Sequence, residues 1–230
     1  MKLAVYTAIF TDDLDYLYGD VIPYEHDKEG VDYICYTNSP HLKSNFWEIR
    51  QLPIWRDGRW TARQCKTKPH DAWLWMDNSI YFTYDPISLM KNYLENHDIA
   101  VHKHSDRNCI YEEVVAAVQR PGVKRDDPSK IIDQGNLYRK NGYPEMNGLF
   151  ENGILLRLNN KNVIKFNELW FKETSDWNTE DQISFAYSLW KMPEIKLNAI
   201  NKTFIAHQQK NPLEQTNEFA TVPRSQRRMI

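Results

Sequence analysis

The run AWLWMDNSIYF, residues 72–82, restricts the fold more than any other segment. Apolar and aromatic residues fall on both of its faces, so neither side is left for water. Such a run reads as one central strand covered on both sides, as in a parallel sheet. Other short β-forming runs alternate with helical patterns around it. LAVYTAIF, VDYICYTN, WEIRQLP, IAVHKH, GILLRL, IKLNAI and TFIAH read as strands. Helical patterns cover 58–70, 85–97, 108–120, 162–177 and 178–192, the last with Asn178 or Thr179 as its N-cap. RPGVKRDDPSK reads as a polar break, and 133–153 as loop-rich. Strands alternating with helices from the first residues onward predict an α/β fold with a mostly parallel sheet.

Length and charge narrow the class. At about 100–200 residues per domain, 230 residues make one domain. It is expected over 1–208, with 209–230 as a polar tail. Lys and Arg number 29 against 31 Asp and Glu, a net charge of −2. That leaves no basic surplus to displace counterions from nucleic acid. No apolar run approaches the roughly 18 residues of a membrane span. The opening MKLAVYTAIFTDDLDYL turns acidic at once and shows no small-residue cleavage site, so a cytoplasmic protein is expected. Cys35, Cys65 and Cys109 form no CxxC pair and read as free thiols of a reducing compartment. The sequence has no GxGxxG, Walker, HExxH or GxSxG motif.

Open α/β sheets bind ligands outside the carboxyl ends of their strands, so the positions after Phe10, Tyr36, Met76 and His102 are the ones to inspect. Asp77-Asn78-Ser79 stands at the end of the apolar run. A carboxylate there is costly unless paired or bound to a cation, and oxygen ligands suit magnesium or manganese. The alternative is an Asp that caps a turn. Arg59, Arg63, Lys66 and Lys68 precede it, with His70 at the helix end. They fit a phosphate site or a solvated helix face. Thr179-Glu180-Asp181-Gln182 opens a helix and fits a cap or a catalytic acid pair. His207 is a lone late histidine. The 8 Trp and 13 Tyr supply ring faces for sugars or bases, or fill the core.

Taken in order, AVYTAIF, VDYICYTN, the Arg63–Lys66–His70 stretch, WLWMDNSI, RNCIYEE, GLFENGILLR, FNELW and EDQISFAYSLW cover about residues 3–191. This series resembles the glycosyltransferase-like family of plant mucilage and turgor proteins, which has shorter bacterial and large-virus members. The resemblance implies a GT-A fold, with a Rossmann-like half for a nucleotide sugar and a smaller acceptor half. It implies transfer of a sugar, UDP-sugars favoured, to a glycan or other hydroxyl. Thr7, Ala8, Ile9, Tyr36 and Thr37 would line the nucleoside pocket, Arg63 and Lys66 would meet the diphosphate, and Asn78 would contact the donor. Asp77-Asn78-Ser79 stands where such enzymes carry an Asp-any-Asp metal motif, departing from it at Ser79. Mn2+, or else Mg2+, would sit on Asp77, Ser79 and His207. Asp181 is the expected base, with Glu151 as its competitor. A nucleotide- or glycan-binding module without catalysis and a metal-dependent nucleotidyltransferase are the other readings.

Overall fold

The computed structural model describes residues 3–10, 29–67, 73–78, 80–82, 85–120, 127–177, 180–201 and 206–208, with 81, 82 and 206–208 described through the main chain. The strands are β1 (Leu3–Ile9), β2 (Val31–Thr37), β3 (Glu48–Gln51), β4 (Trp73–Met76), β5 (Ile80–Phe82), β6 (Ile99–Lys103), β7 (Phe150–Arg157), β8 (Leu197–Ile200) and β9 (Ala206–Gln208). The helices are α1 (Gly58–Thr67), α2 (Pro86–Leu94), α3 (Ile110–Gln119), α4 (Pro128–Lys140), α5 (Lys161–Asp176) and α6 (Asp181–Lys191). Seven strands form one sheet in the order β3-β2-β1-β4-β7-β6-β8. Within it β7 runs antiparallel to β4 and β6, and the remaining pairings are parallel. The fold is therefore mixed α/β with a mostly parallel sheet, as the alternation of elements predicts.

Strand alternation sorts the core into two faces. Ala4, Tyr6, Trp73, Trp75, Val101 and Leu155 turn towards a layer built from α1, α3, α4, α5 and α6. Leu3, Val5, Leu74, Met76, Ala100 and Leu156 turn towards α2 and the segment carrying Leu42 and Trp47. Phe185 of α6 is a hub on the first face, with ring centroids 4.9 Å from Trp170, 5.2 Å from Phe166 and 5.8 Å from Phe150. The Trp170 indole N–H donates to the Asp181 carbonyl at 3.1 Å, which pins the start of α6 to α5. None of the described helices is long and apolar enough to cross a membrane.

Three sequence expectations are corrected. The run at 72–82 is two strands. β4 ends at Met76, the Asp77 carbonyl accepts from Ile80 N–H at 3.0 Å, and β5 leaves to pair antiparallel with β9. The Asp-Asn pair favours a turn over continued pairing. The stretch 133–153 is largely ordered, because α4 runs through it. Asp127 caps that helix, accepting from Ser129 N–H at 3.0 Å, and Pro128 opens it. Gly135, inside the stretch read as loop-rich, lies where a Cβ would come within 3.0 Å of Val114, so the missing side chain lets α4 press against α3. Glu151 consequently lies within β7 and not in a loop before it. The tail at 209–230 and the caps proposed at Asn178 and Thr179 lie outside the described residues.

The start of α5 supplies a stability test. Asn160 Oδ1 accepts from the N–H groups of Asn162 at 3.0 Å and Val163 at 2.9 Å. Asn160→Ala is expected to cost about 1 kcal/mol and to lower the melting temperature by about 2–4 °C in a chain of this size. An unchanged melting temperature would show that the cap contributes nothing.

Candidate active site

The carboxyl ends of β1 and β2 lie side by side, with Thr7 opposite Cys35, Ala8 opposite Tyr36 and Ile9 opposite Thr37. The five expected nucleoside-pocket residues are thus brought together. Thr7 and Thr37 are fully buried, and the Thr37 hydroxyl accepts from Ser39 N–H at 3.1 Å. Burial pushes the Tyr36 phenol up, against the pull of neighbouring Arg50. Helix α1 begins against the last residue of this edge. A Cβ on Gly58 would lie 3.2 Å from the Phe10 Cβ and 3.3 Å from its carbonyl oxygen, so only glycine allows this approach without a shift. Asp57 caps the helix, accepting from Trp60 N–H at 2.7 Å.

Because α1 starts there, its cations at i, i+4 and i+7 run along the sheet towards the end of β4. The innermost, Lys66, is 1% exposed. Its ammonium stands 2.8 Å from Asp181 Oδ2, 3.4 Å from Asp77 Oδ1 and 5.4 Å from the centroid of the Trp75 ring. Arg63 Nε is 3.4 Å from the same oxygen of Asp181, and Arg59 pairs with Glu180 at 2.9 Å. The Trp75 indole N–H donates to Asp77 Oδ1 at 2.8 Å, and Asp77 N–H donates to the Gly153 carbonyl at 2.8 Å. A carboxylate from a strand end and one from a helix start thus share one buried ammonium. Burial alone would raise the Asp181 carboxyl, but Arg63, Lys66 and Arg59 outweigh it and hold the group below its ordinary value.

The solvated-face reading of Lys66 is therefore wrong, and Arg59 and Arg63 are partly buried in ion pairs. Sequence reasoning named Lys66, Asp77 and Asp181 separately without seeing that they meet. It also missed a second charged layer behind them. Glu113, 1% exposed, takes Arg107 at 2.7 Å and Arg120 at 3.2 Å, and Arg120 reaches Glu180 at 3.7 Å. Arg107 and Glu113 both belong to the RNCIYEE stretch, whose polar flanks were the available signal. Burial and Arg107 together lower the pKa of His104, which lies beside this layer. The Glu151 side chain is held by the turn after β6. Its Oε1 accepts from the Ser105 N–H at 3.3 Å and hydroxyl at 3.1 Å, and its backbone pairs with His102 next to a register jump in the β6–β7 ladder.

For a metal, the described residues supply one carboxylate at the expected place. Asp77 Oδ1 is taken by Trp75 and Lys66, leaving Oδ2 on a side chain 35% exposed. Asn78 beside it is exposed. Ser79, Lys68, His70 and the His207 side chain lie outside the described residues. In main-chain register, His207 of β9 lies opposite Tyr81 of β5, four positions after Asp77. Among the described residues no group of three or more His, Cys, Asp or Glu side chains could hold a metal ion. One free carboxylate oxygen is fewer than the six or so oxygen ligands such ions take. The rest would have to come from a bound diphosphate and the flanking residues.

Residues 70–216 match the family model described as TOD1/MUCI70, glycosyltransferase-like domain. The chain belongs to this family. The matched stretch contains Asp77, Glu151, Asp181 and His207, whereas Arg63 and Lys66 lie just before it. None of the curated proteins is significantly similar to the chain. Solved structures with similarity include the WbbM bifunctional glycosyltransferase in its apo form, at 12% identity and a TM-score of 0.43 over 86% of this chain. The galactosyltransferase LgtC in complex with donor and acceptor sugar analogues gives 10% identity and a TM-score of 0.46 over 99%. TarS of S. aureus gives 7% and 0.39 over 94%. The chain spans 38% of the WbbM and TarS chains and 100% of the LgtC chain.

Lys66→Met keeps the side-chain stem and removes its charge. The cost at neutral pH is expected at the lower end of the roughly 3–5 kcal/mol of a broken buried pair, because Arg63 remains beside Asp181. In the wild type the folded pKa of Asp181 lies below its ordinary 3.8. Its contribution is therefore fully present above that value and is lost as pH falls through the folded pKa. Urea unfolding near pH 7 and near pH 3 should show the wild-type advantage shrinking towards acid. An advantage that stays constant would remove Asp181 as the partner that matters.

Proposed function

We propose that this domain transfers a sugar from a nucleotide diphosphate sugar to a hydroxyl acceptor, a glycan or another alcohol. The observation that carries the reading is the buried Lys66 ammonium beside the carboxyl ends of β1 and β4, flanked by Arg63 and Arg59. Breaking the sugar–phosphate bond builds negative charge on the leaving diphosphate, and cations fixed before the reaction stabilise that charge without reorganising. Arg63, partly exposed, meets phosphate oxygens from the solvent side, and Lys66 does so from below. The paired ends of β1 and β2 receive the nucleoside, with uridine favoured, and Asn78 lies at the donor's edge.

Asp77 would hold Mn2+ or Mg2+, manganese favoured, through its remaining oxygen, with Ser79 and His207 as the other protein ligands. The ion would add positive charge at the leaving diphosphate. The base is a carboxylate across the sugar from the diphosphate. Asp181 spends its charge on Lys66 and Arg63, and a carboxyl held below its ordinary pKa is a weak base. Its role here is to fix the two cations. Glu151, two residues before the glycine that hydrogen-bonds Asp77, is the base we favour in its place.

Titration with UDP and UDP-sugars tests the donor site. Arg63→Ala is expected to weaken donor binding by about 1.5–3 kcal/mol, the size of a lost hydrogen bond to a charged group. Turnover should release a nucleoside diphosphate, require a divalent cation, and fall further in Glu151→Gln than in Asp181→Asn. Release of pyrophosphate would select a nucleotidyltransferase. Donor binding without turnover, with or without manganese, would select a binding module. Full turnover in chelator would exclude the metal, and the reverse order of the two variants would restore Asp181 as the base.

A further inference from the structure

Arg157 at the end of β7 is 0% exposed, and among the described residues none of its contacts is a carboxylate. Its guanidinium donates through Nη1 to Asn167 Oδ1 at 2.6 Å, and through Nη2 to the Lys66 carbonyl at 2.7 Å and to the Tyr6 hydroxyl. The Tyr6 hydroxyl in turn donates to the same Lys66 carbonyl at 3.2 Å. One flank of the guanidinium lies over the Trp73 ring, 5.4 Å from its centroid. Neutral acceptors and a ring face thus surround a charge that burial strongly disfavours. Well-packed apolar residues generally replace buried ions at little cost or with a gain in stability. Stability of the core alone therefore does not explain an arginine here. What the arginine does hold is specific. Lys66 is the next-to-last residue of α1, and its carbonyl is among those left without an intrahelical partner at a helix C-terminus. A cation there favours the helix dipole and fixes the last turn.

We infer that Arg157 is the positioning residue for the site's buried ammonium: with Tyr6 it clamps the Lys66 carbonyl so that the Lys66 side chain is aimed between Asp77 and Asp181, and its own unneutralised charge adds to the positive potential that a diphosphate meets. The inference rests on the donor-site reading above and adds a residue that never touches the ligand. Tyr6 supplies the rigid second half of the clamp, since its ring is edge-on to Trp75 at 5.2 Å and is fully buried.

The test compares binding of uridine diphosphate with binding of uridine, which carries no phosphate. The proteins are the wild type, Arg157→Met, Arg157→Lys and Tyr6→Phe, each at a temperature where it is fully folded. Arg157→Met is expected to lose about tenfold in affinity for the diphosphate, equivalent to about 1.4 kcal/mol, with uridine binding unchanged. Arg157→Lys keeps the charge but replaces the planar fork with a single donor nitrogen, and should recover part of the loss. Tyr6→Phe removes one hydroxyl and should lose about threefold, again for the diphosphate alone. A purely structural role would weaken both ligands together. Equal losses, or no loss in any variant, would overturn the inference while leaving the donor site intact. If Arg157→Met fails to fold, Tyr6→Phe decides by the same criterion. A wild type that binds neither ligand would overturn the donor-site reading itself, and this inference with it.

Discussion

An ammonium group taken out of water is tolerated only where opposite charge and hydrogen-bond partners surround it, and Lys66 has given up nearly all of its solvent. Two carboxylates from distant parts of the chain must therefore reach one point. Asp77 arrives on the central strand and Asp181 on the first turn of α6. That requirement links the elements of the first core face. Helix α1 must start tightly on β1, which Gly58 allows. Helix α6 must begin at a fixed height above the sheet, which Trp170 secures through the Asp181 carbonyl. Strand β4 must stop at Met76 so that Asp77 can turn upward, and the antiparallel β7 meets it there through the Gly153 carbonyl.

Much of the fold could be read from the sequence because its signals are local. Doubly apolar runs mark the buried strands, and Asp85-Pro86 marks a helix start in the usual way. The failures came partly from local turn and cap signals passed over and partly from contacts between distant residues. Gly135 lies in a stretch that reads as loop-rich, yet its lack of a side chain is what α3 requires of α4. The run at 72–82 keeps its apolar character past Ser79, yet a turn at Asp77 ends β4 at Met76 and β5 pairs with β9 instead. The antiparallel sense of β7 leaves no mark in GILLRL, since a strand buried on both faces has the same composition whichever way it runs.

The candidate site was legible as a set of residue types and not as an arrangement. Asp77 stood out because a strand end is where a carboxylate needs explaining, and Asp181 because acids at a helix start have a physical role of their own. Lys66 reads from sequence as one basic residue among several on a helix face, and only the packing of α1 distinguishes it from Arg59. Arg157 was invisible for a stronger reason. A lone arginine ending an apolar strand normally marks the point where a chain reaches solvent, and here it marks the opposite.

The arrangement also accounts for a cation kept ready when no anion is bound. A buried ammonium without partners would pull water into the core. Asp181 and Asp77 prevent this for Lys66, one closer than the other, at 2.8 Å and 3.4 Å. The longer contact is the weaker, and it is made to a carboxylate that also accepts from Trp75. In the proposed donor site an incoming anion would displace little, because Asp77 would keep its indole hydrogen bond if the ammonium turned towards the anion. Asp181, bound to both Arg63 and Lys66, stays in place and holds the two cations at a fixed spacing. Their field is set by the fold before any ligand arrives, so binding does not first have to organise it. Arg157 adds to the same field from within the sheet layer, where no described carboxylate cancels it.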